Sequence, residues 1–433
     1  MERQYGVGWI RARGLIRTRP VAYIIGLTAG SPLLVGNALP KMPDLPAFYD
    51  PASPNEQAPP LPSAPLQELS PEAVLQPPLS RRGTGPGLIL LLPENIERTK
   101  RKGKPLDPEP IQKWAEEGFA VVGITAPATA IQAITDAVET LKKHDKVDTK
   151  DKIGIIIYDS PQHALTSQLP PEIACISTFT EPFPSQSHIP TYFHTSNTPG
   201  DYAKTNNVTV STYPNTQKHF ILPGSATYNP PAASMAHSRN LVFLKKHIGG
   251  PVFDIEAIWE EHTYWEFERR SVAQTMATMV AEPYVNNVPT MTGGMGRAAL
   301  TNFYRDHFIF CNPPDTALEP ISRTIGPDRL VDEFIFSCTH TLHIPWFVPN
   351  IPPTNVKLAI PMLGVINFRG DRLYHEHIWW DQGTVLRQLG LLPTLVPGPE
   401  GKMLRLPVAG AECARLLADE TDGKSNEMIE RVD

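Results

Sequence analysis

The sequence predicts a mixed fold class, an α/β domain followed by an α+β domain. Between about residues 81 and 249, short apolar runs alternate with helical segments, which is typical of a parallel sheet with helices on both faces. From about residue 250, helical segments come first and long alternating strands follow, which indicates a helix layer packed on a curved sheet. A chain of 433 residues is too long for one ordinary core. We therefore expect two domains and two flanking tails, the second tail covering residues 396–433.

Residues 1–80 are expected to form an extended arm. From about residue 40 to residue 80 the chain is dense in proline and poor in branched apolar side chains, so it cannot bury enough surface to offset its ordering entropy. An apolar run at residues 21–39 precedes this segment, but glycines, a proline and an asparagine interrupt it. We therefore expect neither a signal peptide nor a membrane span there, and no membrane association.

The α/β domain is predicted over residues 81–249. Its apolar runs are short enough for buried strands, and a glycine stop ends the first helical segment at Gly118. The predicted strands are Gly87–Pro93, Phe119–Thr125, Lys152–Tyr158, Ile173–Ser177, Pro190–His194 and Val208–Tyr213, and the predicted helices are Ile111–Gly118, Ala128–Lys143 and Ala232–Lys246.

The α+β domain is predicted over residues 250–395. Apolar residues recur with helical spacing after Asp254, which can cap a helix, and His262 belongs to this stripe when it is counted as amphipathic. The predicted helices are Asp254–Arg269, Val272–Ala281, Gly296–His307 and Gln382–Gly390, and the predicted strands are Arg323–Ile325 leading into Arg329–Ile344, Val356–Phe368 and Arg372–Trp380.

Composition excludes some classes of function. The formal net charge of −6 gives no basic surface for nucleic acid. The four cysteines are far apart and form neither a disulfide framework nor a zinc-binding spacing, so a reducing, cytoplasmic compartment is expected.

The strand Arg372–Trp380 carries the strongest chemical signal. Side chains alternate along a strand, so His375, His377, Trp379 and the following Asp381 share a face, which we interpret as a pocket wall. A carboxylate and an imidazole in an apolar pocket suit proton abstraction next to a carbonyl, which makes His377 and Asp381 the candidate catalytic pair. The alternative is a structural hydrogen bond that ties the strand to the next helix.

His340 is a further catalytic candidate, because it shares a mostly apolar strand face and can project into the cavity; the alternative is a satisfied core histidine. His340, His375 and His377 with Asp381 raise the possibility of a metal, but no further ligand has a recognisable spacing. No dinucleotide fingerprint is present. We therefore predict neither a metal nor an organic cofactor.

The first domain resembles the dienelactone hydrolase branch of the α/β-hydrolases. The resemblance depends on the order of strands and helices and on Lys218-His219-Phe220 before the closing helix. It implies that His219 is the general base, but the nucleophile elbow of that family, Gly-x-Cys-x-Gly-Gly, is replaced by residues 157–163, which contain neither the cysteine nor the glycines. Ser160 is the possible substitute nucleophile, and Pro161 follows it directly. Pro161 removes a backbone N–H that normally helps to form the oxyanion hole. We expect a degenerate hydrolase domain.

The second domain resembles the NTF2-like superfamily, specifically the SnoaL-like cyclases and isomerases. The resemblance depends on residues 279–286, 290–296, 348–354 and 375–382, and on Asp332-Glu333-Phe334. It implies a cone-shaped domain with the pocket inside. The residues expected to bind substrate are Tyr284, Asn286, Trp379, Tyr304 and Trp265.

The function expected from these features is a cofactor-independent cyclase or isomerase of secondary metabolism. It would act by acid/base proton transfer on a hydrophobic substrate of polyketide or terpenoid type, and we expect a homodimer. Two alternatives stay open: an ester or lactone hydrolase with His219 as base, and a non-catalytic carrier of small molecules.

Overall fold

A computed structural model describes residues 45–99, 105–125, 131–159, 169–182, 188–196 and 207–429. The apolar run at residues 21–39 and the elbow residue Ser160 lie outside these ranges. No helix within the described ranges is both long enough and apolar enough to cross a membrane. The chain from Leu45 onward belongs to one compact unit, in which two lobes have separate hydrophobic cores.

The N-terminal lobe is an eight-stranded sheet covered by helices, and six of its strands and the helical cover were predicted. Its strands are β1 (Gln67–Ser70), β2 (Ala73–Gln76), β3 (Gly87–Leu91), β4 (Ala120–Ile124), β5 (Ile153–Ile157), β6 (Ile173–Thr178), β7 (Thr191–Thr195) and β8 (Val208–Thr212). Its helices are α1 (Pro110–Glu116), α2 (Ile131–Lys143) and α3 (Pro230–Ile248).

The strand order of this sheet is β1-β2-β4-β3-β5-β6-β7-β8, and the strands from β4 to β8 pair in parallel. Strands β3, β4 and β5 are buried along their whole length. Side chains of α1 and α3 share one core with the sheet, and side chains of α2 share the other. Helices therefore cover both faces, which explains why these strands are continuous apolar runs.

The predicted arm is partly wrong. Its last residues form the hairpin of β1 and β2, and β2 pairs with β4 at the edge of the sheet. The side chain of Leu75 is buried there, so this segment contributes to a core. Each of these strands has only four residues, which is too short for the alternation of apolar and polar side chains to be recognised in the sequence.

The C-terminal lobe combines helices with a six-stranded sheet. Its helices are α4 (Ile255–Thr263), α5 (Val272–Ala277), α6 (Arg297–Phe303) and α7 (Gln382–Gln388). Its strands are β9 (Met279–Asn287), β10 (Thr292–Met295), β11 (Ala317–Ile325), β12 (Arg329–Thr339), β13 (Lys357–Arg369) and β14 (Arg372–Trp380). The helices α4, α5 and α6 share a core with one face of the sheet.

Two strands of this sheet were not predicted. The predicted helix from Val272 ends at Ala277, and β9 begins two residues later. The strand β9 pairs in parallel with β14 and antiparallel with β10, which gives the order β10-β9-β14-β13-β12-β11. Pairing with a distant strand thus overrides the local helical pattern.

Two helices end in π-helical turns. Helix α4 continues into a π-helix at Tyr264–Glu268, and α6 continues into another at Tyr304–Phe308. Such turns are rare, and they are frequent at functional sites.

The predicted C-terminal tail has ordered structure. It contains β15 (Leu395–Pro397), β16 (Met403–Arg405) and α8 (Glu412–Ala418). Helix α8 packs against β13.

The two lobes meet at the turn between β13 and β14. Arg369 forms buried ion pairs of 2.8 Å with Asp107 and with Glu116 of the N-terminal lobe. The main-chain N–H of Gly370 donates to Glu117 Oε2 at 3.0 Å. Gly370 has φ +60°, and an added Cβ would lie 2.2 Å from the carbonyl oxygen of Glu116. Only glycine therefore fits this contact.

Candidate active site

The strand β14 and the side-chain alternation predicted for its second half are confirmed, but the face carrying His377 is not the inner face. Glu376 and Trp380 are buried, and Trp380 belongs to the core between helices and sheet. Trp379 is 47% exposed. The prediction that His375, His377 and Trp379 line the interior is therefore wrong, because the apolar side chains of the alternate positions take the core.

Asp381 acts as the N-cap of α7. Its carboxylate accepts hydrogen bonds from the N–H of Gly383 at 2.9 Å, from the N–H of Thr384 at 3.2 Å and from the Thr384 hydroxyl at 2.8 Å. Among the described residues, no hydrogen bond or ion pair joins Asp381 to His377. This geometry matches the structural alternative, in which Asp381 ties the strand to the helix.

His377 has a different partner. Its Nε2 lies 2.7 Å from Nε2 of His375, and the ring of Tyr284 contacts both histidines, with centroid distances of 4.8 Å to His375 and 5.9 Å to His377. Burial and the nearby His377 lower the pKa of His375 to about 3, and burial lowers the pKa of His377. Both rings are thus neutral near pH 7. Asn286 pairs with His377 and Tyr284 pairs with His375 across the two strands. Four predicted site residues therefore lie at the outer face: His377, Trp379, Tyr284 and Asn286.

His340 and Trp265 lie elsewhere. His340 is buried and its Nδ1 bonds Thr354 Oγ1 at 3.0 Å, while its Nε2 has no hydrogen-bond partner among the described residues. Trp265 is half-buried in the first π-helix and packs edge-on against Tyr264. The structure does not bring either residue to His377. Catalytic and binding roles for these predicted residues remain predictions.

The interior of the C-terminal lobe holds a different acid/base group. Nε2 of His262 lies 3.0 Å from Glu266 Oε1, 3.3 Å from Glu376 Oε1 and 3.4 Å from the hydroxyl of Tyr304. All four side chains are buried. We call these four residues the interior cluster. Each comes from a separate feature of the fold: α4, the two π-helices and the inner face of β14.

Hydrogen bonding determines the proton on the other ring nitrogen of His262. Thr278 Oγ1 donates to the carbonyl oxygen of Thr275 at 2.7 Å. Its single proton is thereby used, so it accepts from Nδ1–H of His262 at 2.6 Å. The proton that can move is therefore the one at Nε2, on the side of the two carboxyl groups.

The carboxyl groups share this environment unequally. Burial raises the pKa of Glu376 to about 8, and the nearby charge of Glu266 adds to the effect although His262 opposes it. Burial would lower the pKa of His262, but Glu266 and Glu376 outweigh it and raise the pKa. Near neutral pH these shifts favour the imidazolium form of His262 and the protonated form of Glu376.

Tyr304 supplies a hydroxyl to the same place. Burial, followed by the charges of Glu376 and Glu266, raises the pKa of Tyr304 well above its usual value. Its phenol therefore stays protonated and can donate a hydrogen bond. Tyr304 was predicted as a substrate-binding residue, and it is the one member of that set that the structure places in the interior cluster.

A second buried network supports the histidine. The indole ring of Trp259 stacks on His262 with a centroid distance of 5.7 Å. Its Nε1–H donates to Asp332 Oδ2 at 2.8 Å. Arg323 binds both oxygens of Asp332 at 3.0 Å. This chain holds the ring of His262 in one orientation.

The interior cluster also has the donors of a metal site. One ligand atom each from His262, Glu266 and Glu376 lie within 4.8 Å of one another. A divalent cation there would bind both carboxylates and the deprotonated Nε2. The absence of a metal and of a cofactor therefore remains a prediction for which elemental analysis is required.

Sequence reasoning missed His262, Glu266 and Glu376. His262 was assigned to the apolar stripe of its helix, and Glu376 to the face opposite the supposed site. The available signals were a histidine and a glutamate four residues apart on a buried helical stripe, and an acid that shares a strand face with Tyr374, Ile378 and Trp380.

The histidine assigned to the hydrolase alternative also has an acidic partner. His219 has φ 66°, and its Nε2 lies 3.0 Å from Asp159 Oδ2, just after β5. Lys218 bonds the other carboxylate oxygen at 2.8 Å. Burial opposes the shift, but the hydrogen bonds from Lys218 and His219 lower the pKa of Asp159. The position of Ser160 relative to His219 lies outside the described residues.

Comparison with known proteins gives similarity for about a third of the chain. A protein from Catenulispora acidiphila with a ketosteroid isomerase-like fold, solved with trimethylamine, is 15% identical, with a TM-score of 0.25, over 33% of this chain and 96% of that one. An NTF2-like protein from Burkholderia pseudomallei is 14% identical, with a TM-score of 0.25, over 31% of this chain and 95% of that one. TsrD from Streptomyces laurentii is 14% identical, with a TM-score of 0.27, over 33% of this chain and all of that one, 100%.

These similarities cover about a third of the chain. Similarity at these identities and TM-scores does not indicate a shared activity. No protein-family model matches the chain, and no curated protein matches it.

Proposed function

We propose that the C-terminal lobe is an acid/base enzyme, a cofactor-independent isomerase or cyclase that moves a proton on a hydrophobic substrate of polyketide or terpenoid type. The observation that carries this proposal is the interior cluster, in which two carboxyl groups and a phenol surround Nε2 of one histidine within 3.4 Å. Strongly perturbed ionisable groups in close contact are typical of functional sites.

The proposed chemistry uses one carboxyl group of the interior cluster as a base and the other as an acid. The Glu266 carboxylate removes a proton from the carbon next to a carbonyl, so that a C–H bond breaks and an O–H bond forms. The Tyr304 hydroxyl donates to the developing enolate oxygen. Glu376, which carries a proton below about pH 8, returns a proton to another carbon of the substrate. His262 then passes a proton from Glu266 to Glu376, which restores the starting state.

The burial of the cluster adds one requirement. All four side chains are almost inaccessible, so a substrate reaches them only when the lobe opens. Once it has entered, the dry surroundings strengthen each charge interaction. A purely structural cluster would have the same geometry and no turnover, so the experiment must detect chemistry.

Proton abstraction can be detected without knowledge of the product. The full-length protein is incubated in D₂O with a panel of ketones, for example 2-tetralone, and deuterium incorporation is followed by mass spectrometry. We expect enzyme-dependent exchange that falls about a hundredfold or more in Glu376→Gln, the usual effect of losing a general acid or base. Glu268→Gln, on an exposed glutamate of the same π-helix as Glu266, is the matched control. Exchange that is equal in both variants would contradict the proposal.

An ester or lactone hydrolase is the second candidate, favoured by the contact between His219 and Asp159 at 3.0 Å. An acid that holds a histidine is part of the usual arrangement for activating a nucleophile. Hydrolysis of p-nitrophenyl acetate tests it. We expect the double variant Ser160→Ala with His219→Ala to keep the activity on the native substrate. A loss of activity above about a hundredfold, or about 2.7 kcal/mol of barrier, would instead place the active site in the N-terminal lobe.

The assembly and location of the protein are also proposals. We propose a homodimer in a reducing, cytoplasmic compartment, with a hydrophobic small molecule as partner and no nucleic acid. Light scattering coupled to size-exclusion chromatography measures the mass of the particle. If neither enzyme activity is found, saturable binding of an apolar ligand would favour the carrier alternative.

A further inference from the structure

A cavity of about 240 Å³ lies where the N-terminal arm meets both lobes. Residues 61–64 of the arm form one wall, and Arg369 and Arg372 from the two sides of the β13–β14 turn contribute the basic groups. Leu79, Val280 and Ala281 add apolar surface. This cavity does not include any member of the interior cluster, so an inference from it is independent of the proposed function.

The charge of Arg369 is already neutralised. Its guanidinium binds Asp107 and Glu116 at 2.8 Å each, and the ring of Tyr374 stacks on it at 4.0 Å. Glu116, which also lines the cavity, accepts a second hydrogen bond from the Gln112 amide at 2.9 Å. These groups therefore form a satisfied wall of the cavity.

Arg372 is not satisfied in this way. It is 5% exposed, and its Nη1 donates to the carbonyl oxygen of Leu79 at 3.2 Å. Its Nε–H has no acceptor among the described residues. Asp371 Oδ1 is 3.8 Å away from Nη1, beyond hydrogen-bonding distance, and it is also buried without a hydrogen-bond partner among the described residues. The other oxygen of Asp371 accepts the N–H of Arg81 at 2.7 Å.

Arg372 is buried among both cations and carboxylates. Burial opposes its positive charge and, with the nearby cations Arg81 and Arg297, lowers its pKa even though Asp371 and Glu116 act the other way. A buried guanidinium with an unused N–H is costly unless an anion binds it. A carboxylate matches the planar edge of a guanidinium and can take two parallel hydrogen bonds.

We propose that this cavity binds a small apolar monocarboxylate, with the carboxylate on Arg372 and the apolar part against the arm, Leu79 and Val280. The size supports this choice. The cavity volume of about 240 Å³ admits a molecule of the size of benzoate.

Calorimetric titration of the full-length protein with sodium benzoate at pH 7 tests the proposal, with benzamide as the uncharged molecule of the same shape and inorganic phosphate as the anion without an apolar part. We expect saturable binding of benzoate, and binding at least tenfold weaker for benzamide and for phosphate. Arg372→Gln should weaken benzoate binding at least tenfold. Arg415→Gln, on an arginine whose side chain is 56% exposed, should leave it unchanged.

A second variant keeps the test valid if the loss of Arg372 unfolds the protein. Ala64→Phe fills the cavity from the arm and retains the arginine, so it should abolish benzoate binding in a protein with a normal circular dichroism spectrum. Equal binding of benzamide and benzoate, equal binding of phosphate, or unchanged benzoate binding in a folded Arg372→Gln or Ala64→Phe variant would overturn the proposal.

Discussion

His262 and Glu376 face each other inside the C-terminal lobe, with Nε2 and Oε1 3.3 Å apart. Glu266 Oε1 approaches the same nitrogen at 3.0 Å, so two carboxyl groups lie beside one ring nitrogen. Glu376 Oε1 has no aligned hydrogen bond among the described residues. A buried carboxyl oxygen without a partner is costly, and its retention here is consistent with a role in proton transfer.

The first prediction concerns the pH dependence of stability. The folded-state pKa of Glu376 is raised from 4.5 to about 8, so between these values the folded protein holds a proton that the unfolded chain releases. The free energy of unfolding therefore falls as pH rises, by up to about 1.4 kcal/mol per pH unit. The raised pKa of His262 also makes the free energy of unfolding fall as the pH rises above the pKa of histidine in the unfolded chain.

Glu376→Gln removes this dependence, since glutamine mimics the protonated acid. Urea unfolding at several pH values should show the variant close to wild type near pH 5 and more stable than wild type near pH 9. Parallel curves for the two proteins would mean that Glu376 has an ordinary pKa.

A second prediction concerns the role of Asp381 as a helix cap. Asp381→Ala should lower the free energy of unfolding by about 0.5–2 kcal/mol, the usual value of an N-cap, because three hydrogen bonds to α7 are lost. Asp381→Ser should retain most of the stability. Chemical denaturation measures both, and an Ala variant as stable as wild type would disprove the cap.

The contact between the lobes gives a third prediction. Gly370→Ala should destabilise the protein by more than the roughly 1–2 kcal/mol of a left-handed residue, because the added Cβ would also meet the carbonyl oxygen of Glu116 at 2.2 Å. Gly390→Ala is the matched control, with φ +73° and no atom within 4 Å of the added Cβ. Equal melting temperatures for the two variants would show that the contact is not rigid.

Much of the fold could be predicted from the sequence, because most strands of the N-terminal lobe are continuous apolar runs and because Gly118 and Gly249 follow the ends of α1 and α3. The strand β14 was predicted with its bounds at Arg372 and Trp380. The strand β9 was not, since its partner β14 lies about ninety positions further along the chain. Local periodicity does not record such pairing.

The candidate site was harder to predict for a related reason. Alternation along β14 separates Glu376 from His377, but it does not say which face meets the helices. The decisive contacts join α4 to β14 across the core, between residues more than a hundred positions apart, such as His262 and Glu376. A strand pattern with polar side chains on both faces leaves this choice open.

The fourth prediction is that no metal is required. The interior cluster has suitable ligands, but the proposed proton transfer needs Nε2 and both carboxyl groups free. Dialysis against a chelator should leave ketone exchange unchanged, and elemental analysis of the purified protein should find no stoichiometric transition metal. One bound metal per chain, lost together with the exchange activity, would replace the acid/base account by a metal-dependent one.

The most direct test of the central claim compares the inner and outer faces of β14 in the same exchange assay. Rates of deuterium incorporation into a responsive ketone are measured for wild type, Glu376→Gln, His377→Ala and Asp381→Asn, each with its folding checked by circular dichroism. The interior cluster predicts a loss of about a hundredfold to ten-thousandfold for Glu376→Gln and nearly normal rates for the two outer variants. Normal exchange in Glu376→Gln, with a loss of that size in His377→Ala and Asp381→Asn, would contradict this account and place the chemistry on the outer face.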